Sequence, residues 1–273
     1  MSSAKQSERE IVGRIAAALE AGRIAVSNFP DDPGQVRYKS AHNPVTQADH
    51  LLDELLREHL LQPGEGWFSE ESRQETSTPT RGRVWVVDPL DGTNEYLAGV
   101  AEWCLSVALT ENGRGVAAGI CNPKTGEMFL GSATAGVTYN GRKVSATACK
   151  NLSGATVLAS RSESRRGEWE RFRDSGFVVK PVGSVAYKLA LVAAGLADLT
   201  WTLLPKHGWD VAAGALLVEA AGGFVCTPQG AAVNLDRPGA LLPGIVAGAR
   251  GLRAEVLQML AAIPPNVQKP FPA

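Results

Sequence analysis

The stretch Val84-Trp85-Val86-Val87-Asp88-Pro89-Leu90-Asp91-Gly92-Thr93 decides how the chain is read. Four apolar residues run straight into two carboxylates, a proline, a glycine and a threonine. A short Val- and Trp-rich run closed by turn residues predicts a buried strand. Pro89 pushes Asp88 out of helical backbone and fixes its own φ. Asp91 follows three residues later, and Gly92 permits a sharp turn. Two carboxylates on one rigid turn, with the Leu90 carbonyl between them, form a hard-oxygen set that suits Mg²⁺ or Mn²⁺ rather than zinc. Like charges this close repel, and a cation relieves the repulsion. The same residues also satisfy a plainer description, a polar turn in which Asp91 bonds its own backbone. The stretch alone leaves both open.

Working outward, two further groups of acids follow the same pattern. Trp67-Phe68-Ser69 is a short apolar entry that ends in Glu70-Glu71. Neighbours on an extended chain point to opposite sides, so one glutamate can face an ion while the other faces away; a pair of solvated acids is the bland alternative. Asp210 opens the apolar run Val211–Val218, where an acid is ordinarily a helix cap. Upstream, Thr46 and Asp49 have capping-box spacing ahead of Leu51, Leu52, Leu55 and Leu56, which predicts a helix.

Elsewhere the chain reads as alternating elements. Residues 7–27 carry apolar positions at helical spacing, and 31–35 (DDPGQ) form a turn. From 102 to 144, short β-type runs are broken by Glu-Asn-Gly, Pro-Lys-Thr-Gly and Tyr-Asn-Gly, an antiparallel meander. After Ser153 strands alternate with helices: 156–160, a helix over 165–176, a strand over 177–183, Ala-rich helices over 184–199 and 209–223, a strand near 244–249 and a last helix. Gly222 and Gly223 suit a helix C-terminus. The tail after 263 reads as poorly ordered. The expected architecture is an α+β unit over 1–150 that carries most of the acids, then an α/β unit over 151–273 that carries Asp210.

Composition excludes several classes. The 273 residues are 44% hydrophobic and 20% charged with a net charge of −1, so bulk electrostatics implies neither a nucleic-acid polymer nor a membrane partner. Four cysteines lack CxxC pairing, the N-terminal stretch lacks an apolar signal core, and no 18-residue apolar run occurs. A reduced, cytoplasmic protein is expected. Four histidines without HExxH spacing disfavour zinc hydrolysis, and neither a Walker loop nor a GxSxG elbow is present.

Taken together and in order, WVVDPLDGTNEYLAG, FSEES and WDVAAGALLVEAAGG resemble the inositol monophosphatase family, Mg²⁺-dependent, lithium-sensitive phosphomonoesterases that include 3′(2′),5′-bisphosphate nucleotidases. The likeness runs from NPVTQAD to the final strand and helix. It implies a layered αβαβα sandwich of the sugar-phosphatase type, two or three Mg²⁺ ions with Mn²⁺ as the substitute, and a small phosphate ester as partner. By position, Glu70, Asp88, Asp91, Asp210 and the Leu90 carbonyl resemble the family's metal ligands. Glu71 resembles a group behind them that holds ion-bound water. Thr93 resembles the threonine that contacts the attacking water, and Asp49 the acid that activates it. Gly92 and Thr93 open a helix whose amides can receive phosphate oxygens. Dimerisation is common in the family, so a homodimer is within its range, although these residues do not show one.

Substrate choice should lie in the second half. Gly183, Ser184 and Ala186 match the family segment that approaches the sugar or ring. Inositol enzymes of the family place a glutamate seven residues before the last aspartate; here that place holds Leu203. The segment offers Lys206 and His207 instead, and Arg161 in ASRSES resembles a nucleotidase residue that meets a second phosphate. DPLDGTNEYL is also closer to that branch's DPLDGTKEF. These departures favour a bisphosphate nucleotide, beside inositol monophosphate or another sugar phosphate. Histidinol phosphate and fructose 1,6-bisphosphate are further alternatives, and a catalytically silent, metal-binding regulatory homologue is the non-enzyme reading. Arg161 and Lys206 also suit plain surface positions.

Overall fold

In the computed structural model residues 2–27, 37–40, 43–72, 82–235 and 241–263 are described. The 31–35 turn and the tail after 263 fall outside them. The first helix, α1 (Ser2–Ser27), buries Ile11, Ile15, Ala18, Leu19 and Val26, one stripe at helical spacing. A small hairpin, β1 (Arg37–Ser40) with β2 (Asn43–Val45), leads into α2 (Gln47–Leu60), which packs beside α1. The Thr46–Asp49 capping box opens α2 as the spacing predicts.

Seven strands then build the first sheet: β3 (Gly66–Ser69), β4 (Arg83–Asp91), β5 (Cys104–Glu111), β6 (Arg114–Asn122), β7 (Glu127–Ser132), β8 (Gly136–Tyr139) and β9 (Arg142–Val144), in that spatial order. Only β3 and β4 run parallel; the rest is the antiparallel meander. A short helix, α3 (Thr93–Leu97), follows β4. Every residue of β4 from Val84 to Leu90 is buried because both faces of the sheet are covered. Trp85 and Val87 pack with Ile15, Leu19 and Leu52 of α1 and α2, while Val84 and Val86 pack on the opposite face.

The second sheet comprises β10 (Thr156–Ser160), β11 (Val178–Val182), β12 (Leu199–Thr202), β13 (Phe224–Cys226) and β14 (Ile245–Gly248), ordered β11-β10-β12-β14-β13. Between the sheets lie α5 (Val185–Ala193) and α6 (Gly208–Ala220), which touch each other and strands of both. Leu189, Ala190, Val211, Leu217 and Val218 fill this middle layer with Val86, Ala118, Ile120 and Ala247. On the far face, α7 (Arg253–Ala261) supplies Val256 and Leu260 to a third core around Trp169, Trp201 and Val246. The layers are thus α, β, α, β, α, as the resemblance implies.

The Ala-rich helix predicted over 184–199 ends at Ala193, with Leu199 opening β12, and neither β12 nor β13 shows in the sequence pattern. A second helix differs more. The helix predicted over 165–176 is instead α4 (Arg161–Arg165), a turn and a 3₁₀ turn at Glu170–Phe172. Gly167 takes φ +75° there, and Trp169 stacks on Trp201 at 4.6 Å with Phe172 against the same ring at 5.2 Å. Aromatic packing overrides helical propensity in this segment. No helix among the described residues is long and apolar enough to cross a membrane.

Candidate active site

The C-terminal end of β4 organises the site. Alternation along the strand carries Asp88 to the same face as Val84 and Val86, toward the middle helices. Pairing with β5 slips between Asp88 and Asp91, which bends the chain there. The Leu90 amide donates to Asp88 Oδ1 at 3.1 Å and holds the bend. Gly92 then adopts φ +101°, where a Cβ would sit 3.0 Å from Trp103 Cβ and 3.2 Å from the Glu102 carbonyl. Only glycine fits the turn into α3.

Parallel pairing of β3 with β4 brings in the next acid. Ser69 lies opposite Val87, and the Glu70 amide continues the ladder by donating to the Val87 carbonyl at 3.2 Å. Glu70 therefore stands beside Asp88. Asp210 arrives on the first turn of α6, where its Oδ2 accepts the His207 amide at 2.9 Å. The His207 ring stacks on Trp209 at 4.3 Å, and Trp209 meets Phe68 of β3 at 5.1 Å, so aromatic packing joins the two elements. One oxygen from each of Glu70, Asp88 and Asp210 lies within 4.8 Å of the others.

These acids line a cavity of about 310 Å³ together with Leu90, Asp91, Gly92, Thr93, Gly183, Ser184 and Lys206. Asp91 stands next to the triple. Its Oδ2 accepts the Ser184 hydroxyl and the Ala186 amide, both at 2.6 Å. Four predicted residues stay outside the cavity lining among the described residues. Ala186 acts only through that amide. Asp49 sits behind Thr93: its Oδ1 is 3.4 Å from the Thr93 hydroxyl, which is also 3.3 Å from the Leu90 carbonyl. Its Oδ2 accepts the Thr46 amide and hydroxyl at 2.7 and 2.6 Å, so the cap of α2 orients Asp49. Glu71 follows Glu70, and its backbone amide donates to Ser69 Oγ at 3.4 Å. Arg161 lies between the lining residues Ser160 and Ser162, but its guanidinium is bound by Glu102 at 2.5–2.9 Å. Leu203 packs against the third core.

The electrostatics fit a cation. Asp88 is pushed well above the usual carboxylate range by burial, then by the charges of Glu70, Asp91, Asp210 and Asp49. Burial also raises Asp91, against the bonds from Ser184 and Ala186. Asp210 is pushed up to about 7 by burial, with Lys206 opposing. Clustered acids that resist ionising, offering only oxygen donors at a shared cavity wall, match a hard divalent ion.

Two charged wall residues, Glu95 and Lys188, and one acid behind the wall, Glu102, were not singled out in the sequence. Glu95, raised by burial, lies against Gly183, where a Cβ would meet Glu95 Cδ at 2.7 Å. Glu102 binds both Arg161 and the Gly183 amide, the latter at 2.7 Å. Lys188 is the one charge in the apolar run 185–197, a signal that was available. It is 3% exposed, and burial lowers its pKa to about 8.

Five alternating layers, with a cluster of acids that could hold a metal ion at a shared cavity wall, define a layered α/β sandwich. A sequence profile described as the inositol monophosphatase family matches residues 6–263, and the chain belongs to that family, whose members are phosphoric monoester hydrolases. The chain is 33% identical over 254 residues to an inositol-1-monophosphatase of Rhizobium meliloti, covering 89% of this chain and 94% of that protein. It is 34% identical over 245 residues to the Nus factor SuhB of Xylella fastidiosa, with 86% and 88% covered. Among solved structures, the extragenic suppressor protein suhB of Bartonella henselae superimposes with a TM-score of 0.81 at 28% identity, over 93% of this chain and 99% of that one.

Proposed function

We propose that the protein is a Mg²⁺-dependent phosphomonoesterase that releases inorganic phosphate from a small phosphorylated polyol, with inositol monophosphate as the representative substrate. The observation that carries this reading is the approach of Glu70, Asp88 and Asp210 oxygens to within 4.8 Å of one another on the cavity wall. Asp91 and the Leu90 carbonyl complete the oxygen set that would hold two or three ions. When bound, such ions supply charge neutralisation for the ester and its leaving alkoxide.

The remaining work falls to the chain. Thr93 holds the attacking water through its hydroxyl, and Asp49, oriented by Thr46, is the acceptor for the proton passed through that hydroxyl. Gly92 and Thr93 border the phosphate position. Residues 1–150 act as the unit that supplies Glu70, Asp88 and Asp91, and residues 151–273 as the unit that closes the cavity with Asp210, Gly183, Ser184 and Lys206.

The size of the cavity supports a small ester, since about 310 Å³ lies at the lower end of the ~300–1,000 Å³ typical of ligand pockets. The name of the Rhizobium meliloti relative, an inositol-1-monophosphatase, supports the same reading. The bisphosphate-nucleotide reading keeps Lys206 on the wall but loses Arg161, whose guanidinium is held by Glu102. A phosphate-release panel tests both: inositol 1-phosphate, adenosine 3′,5′-bisphosphate, histidinol phosphate and fructose 1,6-bisphosphate, each with Mg²⁺ or EDTA. The expected outcome is release from inositol 1-phosphate that EDTA abolishes. Release from no ester, with Mg²⁺ still bound, would favour a regulatory homologue.

A further inference from the structure

Lys188 is a buried cation to which the hydrolytic scheme gives no task. Its ammonium donates to the Ser184 carbonyl at 2.7 Å and to the Val182 carbonyl at 3.3 Å. These two carbonyls bracket Gly183, at the bend between β11 and α5. The bend is strained and crowded. Ser184 holds φ +55°, a left-handed value unusual for a residue with a Cβ. On one side of Gly183 there is no room for even a methyl group, because the Glu102 carbonyl would stand 2.7 Å away.

What the bend delivers is the support of Asp91. The Ser184 hydroxyl and the Ala186 amide both end on Asp91 Oδ2. The Ser184 hydroxyl in turn accepts the Tyr187 amide at 2.9 Å, which fixes its direction. A strained backbone persists only when its surroundings over-determine it. An ammonium taken out of water needs its protons satisfied, and here two of them are used on the very carbonyls that define the bend.

We propose that Lys188 is a positioning residue: its ammonium staples the carbonyls of Val182 and Ser184, locks the bend ahead of α5, and thereby holds Asp91 in a single orientation at the cavity wall. The alternative role is direct contact with substrate, because Lys188 also borders the cavity.

The test uses Lys188→Met, which keeps the length and removes the donors, with Ser184→Ala and the double variant. Its kinetic arm rests on the phosphomonoesterase reading and uses inositol 1-phosphate with Mg²⁺. Lys188→Met should lower kcat by roughly 10- to 100-fold with KM within about 2-fold, the pattern of a lost transition-state arrangement. The double variant should be within about 3-fold of the worse single variant, because both act through Asp91. A KM rise of about 10-fold with kcat retained would assign Lys188 to substrate contact and overturn the proposal, as would losses that multiply. The second arm needs no substrate. Amide hydrogen exchange over 182–188 should quicken by about 10-fold or more in Lys188→Met while α6 and α7 keep wild-type protection; unchanged exchange there also overturns the staple. If wild-type protein releases no phosphate, the functional reading fails while the exchange arm still judges the staple. Should Lys188→Met not fold, Lys188→Gln carries the same comparisons.

Discussion

Asp91 joins residues that are far apart in the chain. It ends β4, yet its Oδ2 is held by Ser184 and Ala186, more than ninety positions later. Asn at this position keeps the shape but removes the charge, and its amide nitrogen cannot accept these bonds. Asp91→Asn is therefore expected to lower kcat on inositol 1-phosphate by at least ~100-fold while the fold survives; circular dichroism and the melting temperature check the second half. Gly92→Ala acts differently. The left-handed φ of +101° and the contact with Trp103 Cβ make it a backbone change, and a loss of about 1–3 kcal/mol in urea unfolding is expected. A loss below ~0.5 kcal/mol would mean the turn can relax. Both positions were legible because their chemistry is local: a proline, an acid three residues on, and a glycine. The Asp49–Thr93 approach, 44 positions apart, came from the family resemblance and not from spacing. The capture of Arg161 by Glu102, 59 positions apart, had no local sign at all.

At the scale of elements, packing decides what propensity leaves open. Gly214 lies where α6 crosses α5, and a Cβ there would collide with Leu189 Cβ and stand 2.7 Å from its Cδ1. Cβ cannot swing away, so overpacking outweighs the ~1 kcal/mol helix gain of alanine. Gly214→Ala should destabilise by about 1–2 kcal/mol. Gly13, on α1, meets nothing within 4 Å, so Gly13→Ala should stabilise by roughly 0.5–1 kcal/mol. Chemical denaturation of the pair checks the contrast, and equal shifts would contradict the packing argument. The same logic explains which elements could be read. The meander and α2 announce themselves by turn residues and a capping box. The strands β12 and β13, Leu-Thr-Trp-Thr and Phe-Val-Cys, are too short to show a period. Around Trp169 the helical pattern is real, but three aromatic rings gathered on Trp201 end it.

For the whole molecule, the cost of the site is shared by both halves of the chain, because folding gathers Glu70, Asp88, Asp91 and Asp210 out of water. Asp210 makes this measurable. Its pKa rises from the usual carboxylate value to about 7 in the folded protein, chiefly through burial. Above pH ~4 the unfolded chain releases this proton while the folded chain keeps it, so the folded state binds more protons and stability falls as pH rises. The fall runs from pH ~4 to about 7 and levels off above the folded pKa. At ~1.4 kcal/mol per pH unit it amounts to at most about 4 kcal/mol from this one group. Asp210→Asn lacks the proton. In chelator-treated protein the wild type should therefore lose stability relative to Asp210→Asn as pH is raised across that window. A divalent ion that binds the ionised acids reverses the loss by mass action, more strongly at pH 7.5 than at pH 5, where protons compete. With ~10 mM MgCl₂ the wild-type melting temperature is expected to rise by several degrees at pH 7.5 and little at pH 5, and Asp210→Asn to gain less at both. Parallel pH profiles for the two chelator-treated proteins would show that Asp210 is already ionised and solvated in the free fold. Equal gains with Mg²⁺ in both proteins would remove it from the ion's oxygen set.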